Sequence, residues 1–310
     1  MTIAAAYREH YELVWGLCYR MTGSAADADE LAQETFVRAV ERPPRTTSDP
    51  LAPWLATVAL NLSRDRLRHR KERPYVGPWL PAPVPTNEEA SPEEDDPAVR
   101  YDRVESASFA FLVALEALTP TQRAVTVLRD VLDYSVNETA ACLGISEGNV
   151  KVTHLRARRA LETYDATRVR PTRTVQGKTK EILMRFVIAL ETADAAALEA
   201  LLSPSAEAAT DGGGEFLAAV RRIVGRDRVA RFCLGLAKKA GRVSGVEMAM
   251  LNGLPAVVFD WDAPERYAPR FVLQCVLDRD GMIRDIYGVL ASPKLSALTP
   301  PASRCGGAHG

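Results

Sequence analysis

Apolar residues recur every three or four positions over most of the first 165 residues, the spacing of amphipathic helices. Near the N-terminus Tyr7, Tyr11, Val14, Cys18 and Met21 stand one turn apart. Over 27–40 (DADELAQETFVRAV) a single stripe holds Ala32, Phe36 and the pair Ala39/Val40. Ser24, with Asp27 three residues on, supplies a capped start to that helix, and Asp27, Asp29 and Glu30 complement its dipole. Over 53–73 (PWLATVALNLSRDRLRHRKER) Pro53 suits a first helical position. Projected at about 100° per residue, Leu55, Val58, Ala59 and Leu62 share one arc, with Trp54 beside it. Asn61, Arg64, Arg68 and Lys71 occupy the opposite arc, so the helix is held by one face and shows a basic face outward.

The helical period returns over 106–165, and beyond 179 the pattern changes. Two helices (about 179–192 and 195–202) lead through a glycine turn to a third near 226–240. Alternating segments follow at 243–251, 255–261, 270–278 and 282–289, which predict an antiparallel sheet. Asn252-Gly253 and Asp280-Gly281 stand between consecutive segments as type I′ hairpin turns. The division is therefore 1–73 helical, 74–105 linker, 106–165 helical, 166–178 connector, 179–295 α+β, and 296–310 a disordered Pro/Gly/Ala-rich tail.

Charge sharpens this division. The formal net charge is only -1, yet 64–73 carries six basic residues against two acids, and 151–173 carries seven against two. Six acids and no base lie between Glu88 and Asp96, inside a linker that holds seven of the twenty prolines. Two local basic surfaces joined by an acidic connector suit two phosphate-facing modules. The cysteines Cys18, Cys142, Cys233, Cys275 and Cys305 are scattered without CxxC spacing, so neither disulfides nor a metal site is expected. No apolar run reaches the roughly 18 residues of a membrane span, and the start MTIAAAYREH lacks a signal-peptide pattern. A cytoplasmic protein without membrane association is expected.

The second helical region has helix-turn-helix spacing. Ala140 stands where two helices cross, Gly144 at the turn and Val150 at the anchor of the second helix. Ser146 can cap that helix with Glu147 in its first turn. Ser146, Glu147, Asn149 and Lys151 are then placed to enter a major groove, and Arg156, Arg158 and Arg159 to flank the phosphates.

Taken together, residues 5–165 resemble the sigma-2 and sigma-4 domains of the extracytoplasmic-function RNA polymerase sigma factors of bacteria. DADELAQETF is similar to that family's polymerase-binding helix, which implies Asp29, Glu30, Gln33, Glu34 and Phe36 as the polymerase contact. PWLATVALNLSRDRLR is similar to the segment that melts and reads the -10 element, implying DNA contact by Asn61, Arg64, Arg68 and Lys71. LTPTQRAVTVLRD through RARRAL is similar to the reader of the -35 element. The implied fold is multidomain: two all-α sigma domains, the second with the helix-turn-helix, plus an α+β cone of the SnoaL/NTF2-like kind. The implied mechanism is recruitment of core RNA polymerase to promoter DNA, with capture of a flipped -10 base, and neither catalysis nor a cofactor.

YVGPWLPAPVP (75–85), DGGGE (211–215) and ASPKL (291–295) resemble three motifs of the sigma-J-like subgroup that ends in a SnoaL-like domain. Glu215 stands where a lysine is usual, ASPKL is shorter and lacks an aspartate, and His154-Leu155 reverses the usual polarity order of the recognition helix. A spacer has no need of Tyr75, Trp79, Leu80 and Pro81, because exposed aromatics gain nothing in water. These residues are expected to dock on the C-terminal domain, with Asp211, Gly212, Gly213, Gly214, Pro293, Lys294 and Leu295 as the receiving side. That domain has three readings: a protein-contact role, a small-ligand pocket, or an enzyme using Asp260, Asp262, Tyr267, Asp285 or Tyr287. The alternative for the whole chain is a ligand-sensing helix-turn-helix regulator or enzyme fusion that works without polymerase.

Overall fold

The computed structural model describes residues 3–42, 51–86, 108–239, 242–262 and 264–298. The acidic run and most of the proposed tail lie outside them. Helices α1 (Ile3–Thr22), α2 (Ala25–Glu41) and α3 (Leu51–Glu72) form the first group. The second is α4 (Phe109–Leu115), α5 (Pro120–Thr126) running into a π-helical turn (Val127–Val131), α6 (Val136–Leu143), α7 (Glu147–Ala160) and α8 (Glu162–Thr167). The third part contains α9 (Arg173–Glu191), α10 (Ala195–Leu201), β1 (Leu202–Asp211), β2 (Ile223–Val224) and α11 (Arg226–Lys239). It continues through β3 (Arg242–Leu251), β4 (Leu254–Asp262), β5 (Arg270–Leu277), β6 (Ile283–Val289) and a 3₁₀ turn at Ser292–Leu295.

Local chemistry sets the helix ends. The Ser24 hydroxyl accepts from the Asp27 amide at 3.2 Å, and capping boxes start α5 (Thr119/Gln122) and α6 (Ser135/Glu138). Gly144 ends α6 in the left-handed region, φ 64°. Thr172 caps α9 through the Val175 amide, so this helix starts well before residue 179 and absorbs part of the basic connector.

The single apolar stripe expected of α3 is too narrow. Leu55 and Ala59 pack with α1, α2 and α4, while Ala56, Leu60 and Leu67 pack with Ala124, Val125, Leu128, Ala140 and Leu143 of the second group. Val58 and Leu62, placed on the stripe by projection, are only half-buried, as is Trp54. The helix is covered on two sides because two apolar clusters, each shared by both helical groups, pack against it.

The six-stranded sheet runs β2-β1-β6-β5-β4-β3. It is mixed rather than antiparallel, since β1 lies parallel to β6. Strand β1 escapes sequence patterning because LSPSAEAATD is built of small and polar residues with little strand propensity; its partners on both sides hold it extended. Asn252 (φ 50°) and Gly253 (φ 81°) form the type I′ turn. At the second hairpin only Gly281 takes positive φ. The Asp278 amide donates to the Met282 carbonyl at 2.8 Å, which makes a three-residue loop instead.

Alternation divides the sheet into two buried faces. Val257, Phe259, Leu273, Cys275 and Ile286 face α9, α10 and α11. Ala256, Val258, Val272, Val276, Tyr287 and Val289 face the other way, against Leu80 of the linker and Phe109 of α4. Tyr287 and Phe109 have ring centroids 5.3 Å apart.

The linker adds to the β3–β4 hairpin like a short extra strand. Pro85 bridges Leu251, the Thr86 amide donates to the Met250 carbonyl at 2.9 Å, and the Asn252 amide donates to the Val84 carbonyl at 2.9 Å. The Asn252 side chain accepts from the Val84 amide at 3.1 Å and donates to the Tyr19 hydroxyl at 2.7 Å. Asn252→Gly keeps the turn geometry but deletes those two side-chain bonds. At about 1 kcal/mol each, their loss should accelerate Val84 amide exchange roughly thirtyfold. Exchange in the hairpin itself should stay unchanged; equal acceleration of both would show that Asn252 serves only the turn.

Candidate functional site

Asp211 ends β1 and is fully buried. A carboxylate in that position must be matched by donors, and four surround it. The Tyr75 hydroxyl donates at 2.6 Å, the Leu80 amide at 2.7 Å, the Gly213 amide at 2.9 Å and Lys294 Nζ at 2.5 Å. Lys294 also donates to the Leu80 carbonyl at 2.5 Å. The glycines make the turn possible: Gly213 (φ 63°) and Gly214 (φ 77°) are left-handed, and a Cβ on Gly213 would come 2.9 Å from that of Ala291. Burial pushes the Lys294 ammonium down to about 8 against the pull of Asp211, and burial followed by the Asp211 bond pushes the Tyr75 phenol up.

Two cations lie over the Trp79 ring, with Lys294 Nζ 3.8 Å from its centroid and the Arg70 guanidinium also at 3.8 Å. Arg70 in turn forks onto both Glu116 oxygens, at 2.9 and 2.7 Å, and donates to the Thr22 carbonyl at 2.7 Å. Arg123, almost wholly buried, donates to Glu116 at 2.6 Å, to the Met21 carbonyl at 2.7 Å and to the Leu115 carbonyl at 3.1 Å. A second stitch runs from Tyr19, whose hydroxyl donates to the Ala82 carbonyl at 2.7 Å. Linker, both helical groups and the sheet domain thus meet at one polar centre.

The family described as Sigma-70 region 2 matches residues 6–73, and Sigma-70, region 4 matches 108–161. The ECF RNA polymerase sigma factor SigJ of Mycobacterium tuberculosis is 33% identical over 308 residues, covering 94% of this chain and 91% of that protein. The chain belongs to the extracytoplasmic-function RNA polymerase sigma factors. The crystal structure of M. tuberculosis SigJ matches with a TM-score of 0.73 at 28% identity, covering 95% of this chain and 98% of the other. A second relative, the sigma factor SigG of M. tuberculosis, is 32% identical over 194 residues, covering 57% of this chain and 52% of that protein. The fold is accordingly sigma-2 and sigma-4 helical domains with a C-terminal SnoaL-like domain, and the protein is a transcription initiation factor. The kinship points to a non-enzymatic transcription factor.

The expected contact residues of this sigma factor fall into three groups. On α2, Asp29, Glu30, Gln33 and Glu34 are exposed, whereas Phe36 is core and packs on the Tyr7 ring at 4.8 Å. Asp29 accepts from the Trp15 indole at 2.6 Å, Glu30 pairs with Arg66 at 2.8 Å and Glu34 with Arg38 at 3.0 Å. The neighbouring Val37 and Val40 are exposed apolar residues, although the stripe assigned Val40 to the interior. On α7, Ser146, Glu147, Asn149, Lys151, Arg156, Arg158 and Arg159 are all exposed. His154 is partly buried and bonds Asp130 at 2.8 Å.

On α3 the basic face meets the sigma-4 domain. Arg64 is half-buried, 3.5 Å from the Thr121 hydroxyl. Lys71 Nζ donates to the Leu118 carbonyl at 3.1 Å, and burial lowers its pKa. Asn61 and Arg68 stay exposed, Arg68 paired with Asp65 at 2.8 Å. All the linker-dock residues come together except Pro293, whose carbonyl accepts from the Ser296 hydroxyl at 3.0 Å and not from the linker; Pro81 and Leu295 are buried. Tyr19, Arg70, Glu116, Arg123 and Asn252 carry no sequence signal for this role beyond Arg70 in the basic run. Of the enzyme candidates only Tyr267 lines the SnoaL-like cavity. Asp260 pairs with Arg270, Asp285 with Arg284, and Tyr287 faces the linker side. Among the described residues there is no group able to hold a metal ion, and no helix is long and apolar enough to cross a membrane.

Asp211→Ala strands Lys294 and three further donors, at a cost on the order of 3–5 kcal/mol, and should release the linker, read as lost protection of the Leu80 amide. Lys294→Met leaves Asp211 three donors and should cost clearly less; equal losses would place the control at Lys294. The pH response has a definite sign. Undocked, Lys294 titrates near about 10.4, and docked it titrates near about 8. The docked form sheds its proton first, so docking should be flat below 8 and strengthen from there toward 10.4. Leu80 protection, corrected for intrinsic exchange, should rise between about pH 8 and 10 and stay flat in Lys294→Met. A fall over that window would show that the ion pair itself holds the linker.

Proposed function

We propose that this sigma factor binds core RNA polymerase and contacts the -10 and -35 promoter elements through its sigma-2 and sigma-4 domains. We further propose that its SnoaL-like domain regulates it in cis. The assignment keeps the divisions at 1–73, 74–105, 106–165 and 296–310, moves the end of the connector from 178 to 172 and the start of the SnoaL-like domain from 179 to Arg173, where α9 begins, and puts the protein's action in the bacterial cytoplasm beside polymerase.

One observation supports the regulatory half. The α7 face is open, while the basic face of α3 is partly covered by sigma-4, and the linker dock fastens that arrangement. DNA cannot reach the half-buried Arg64 fully, nor take the Lys71 ammonium from the Leu118 carbonyl, until the two helical domains part. Parting them exposes the shared core, so a large binding partner that offers replacement surface is needed. Core polymerase meets that requirement through the acidic and apolar face of α2, where Asp29, Glu30, Gln33 and Glu34 stand beside Val37 and Val40. Phe36 then acts by shaping α2 from within.

At the -35 end, Asn149, Lys151 and their neighbours offer base-edge contacts, and Arg156, Arg158 and Arg159 offer phosphate contacts. Patches this small bind weakly and salt-sensitively alone.

Specific promoter protection is therefore expected only in the presence of core polymerase; protection by the purified sigma factor alone would overturn this reading. With polymerase present, Arg159→Ala should reduce the slope of log affinity against log salt by about 0.9 without changing sequence preference. Asn149→Ala should instead relax that preference. Asp211→Ala should change run-off transcription at a fixed polymerase concentration, and an unchanged output would remove regulation in cis.

A further inference from the structure

The SnoaL-like domain holds a cavity of about 710 Å³ between α9, α11 and the inner sheet face. Its walls are apolar and aromatic, with Phe186, Leu190, Phe232, Trp261, Tyr267 and Phe271 prominent. Three of the rings form a panel: Phe259 stacks on Phe271 at 4.7 Å, and Trp261 meets Phe271 at 5.3 Å. Glu191, Arg231 and Lys239 also border the cavity, and all three are exposed, so charge sits at its rim.

One detail singles the cavity out from a packing defect. Gly235 sits inside α11, where glycine weakens a helix relative to alanine. It has no left-handed φ to require it, and a Cβ there would meet nothing within 4 Å. Gly235 lines the cavity and keeps its volume open.

The cavity also shares a wall with the linker dock. Leu217, Ala218 and Ala219 border it, and on their other side a Cβ on Gly77 of the linker would lie 3.4 Å from the Ala219 carbonyl. The Ala219 amide donates to Thr210 at 2.8 Å, one residue before Asp211, and the Leu290 amide donates to the Asp211 carbonyl at 2.8 Å. Thr210 and Leu290 both line the cavity.

We propose that this cavity binds a largely apolar, ring-bearing small molecule, and that its occupancy holds the linker docked. The second half rests on regulation in cis; the first does not. The cavity seen is that of the docked form, so a ligand matched to it favours docking, and undocking must weaken the ligand by the same factor.

The uncharged naphthyl ketone prodan, titrated into the full-length protein, is a suitable probe because its emission shifts to the blue when it leaves water for an apolar cavity. Saturable binding is expected. Gly235→Phe, with Gly235→Leu as a second filler, should abolish it while the melting temperature stays or rises. Trp261→Ala, which removes one ring of the aromatic panel, should weaken it about tenfold. Asp211→Ala should weaken binding, and prodan should in turn slow Leu80 amide exchange in the unmutated protein. Absence of saturable binding, or binding indifferent to the Gly235 fillers, overturns the ligand site. Binding that the fillers abolish but Asp211→Ala leaves alone overturns the coupling. Failure of regulation in cis is separate, since it shows as unchanged transcription by Asp211→Ala.

Discussion

A carboxylate removed from water is among the most expensive groups a fold can carry, and Asp211 is tolerated only because four donors converge on it. Two of the four come from the linker, one from the glycine turn and one from Lys294 near the end of the sheet domain. The carboxylate cannot keep its full complement unless all three segments are in place. The linker is therefore part of the tertiary structure of the SnoaL-like domain, although Leu80 lies 131 residues ahead of Asp211 in the chain.

From Asp211 the constraint passes outward as alternating charge. Lys294 and Arg70 both lie over the Trp79 ring, Arg70 bonds Glu116, and Glu116 accepts from Arg123, which reaches the end of α1. The ring attracts both cations, because its face is the negative end of its quadrupole. Glu116 balances the two arginines. The angle between sigma-2 and sigma-4 is thus set by a shared apolar core and also by a polar centre that the third domain completes.

What could be read from the chain was what local chemistry decides. The caps at Ser24 and Ser146, the left-handed Gly144 and the Asn252-Gly253 turn carry their signal within a few residues. The aromatic linker was legible because Trp79 and Leu80 make no sense in water. What could not be read depended on distant partners. Strand β1 lacks strand formers and exists through β6, eighty residues later. The second buried face of α3 follows from a helical group that a one-helix projection cannot see. Asn252 looks like a turn residue alone, yet it bonds Tyr19 across 233 positions.

The two departures from the sigma-J-like motifs are best understood together. Glu215 stands where the subgroup has a lysine, and the segment before Lys294 is shortened. In the fold these sites face each other: Glu215 accepts from the Ser292 amide at 3.1 Å and from its hydroxyl at 2.8 Å. That pair satisfies the start of the 3₁₀ turn whose third residue is Lys294. A lysine at 215 could not accept either bond. The altered residues thus hold the turn by a different contact, and the ammonium they position still reaches Asp211 and Trp79.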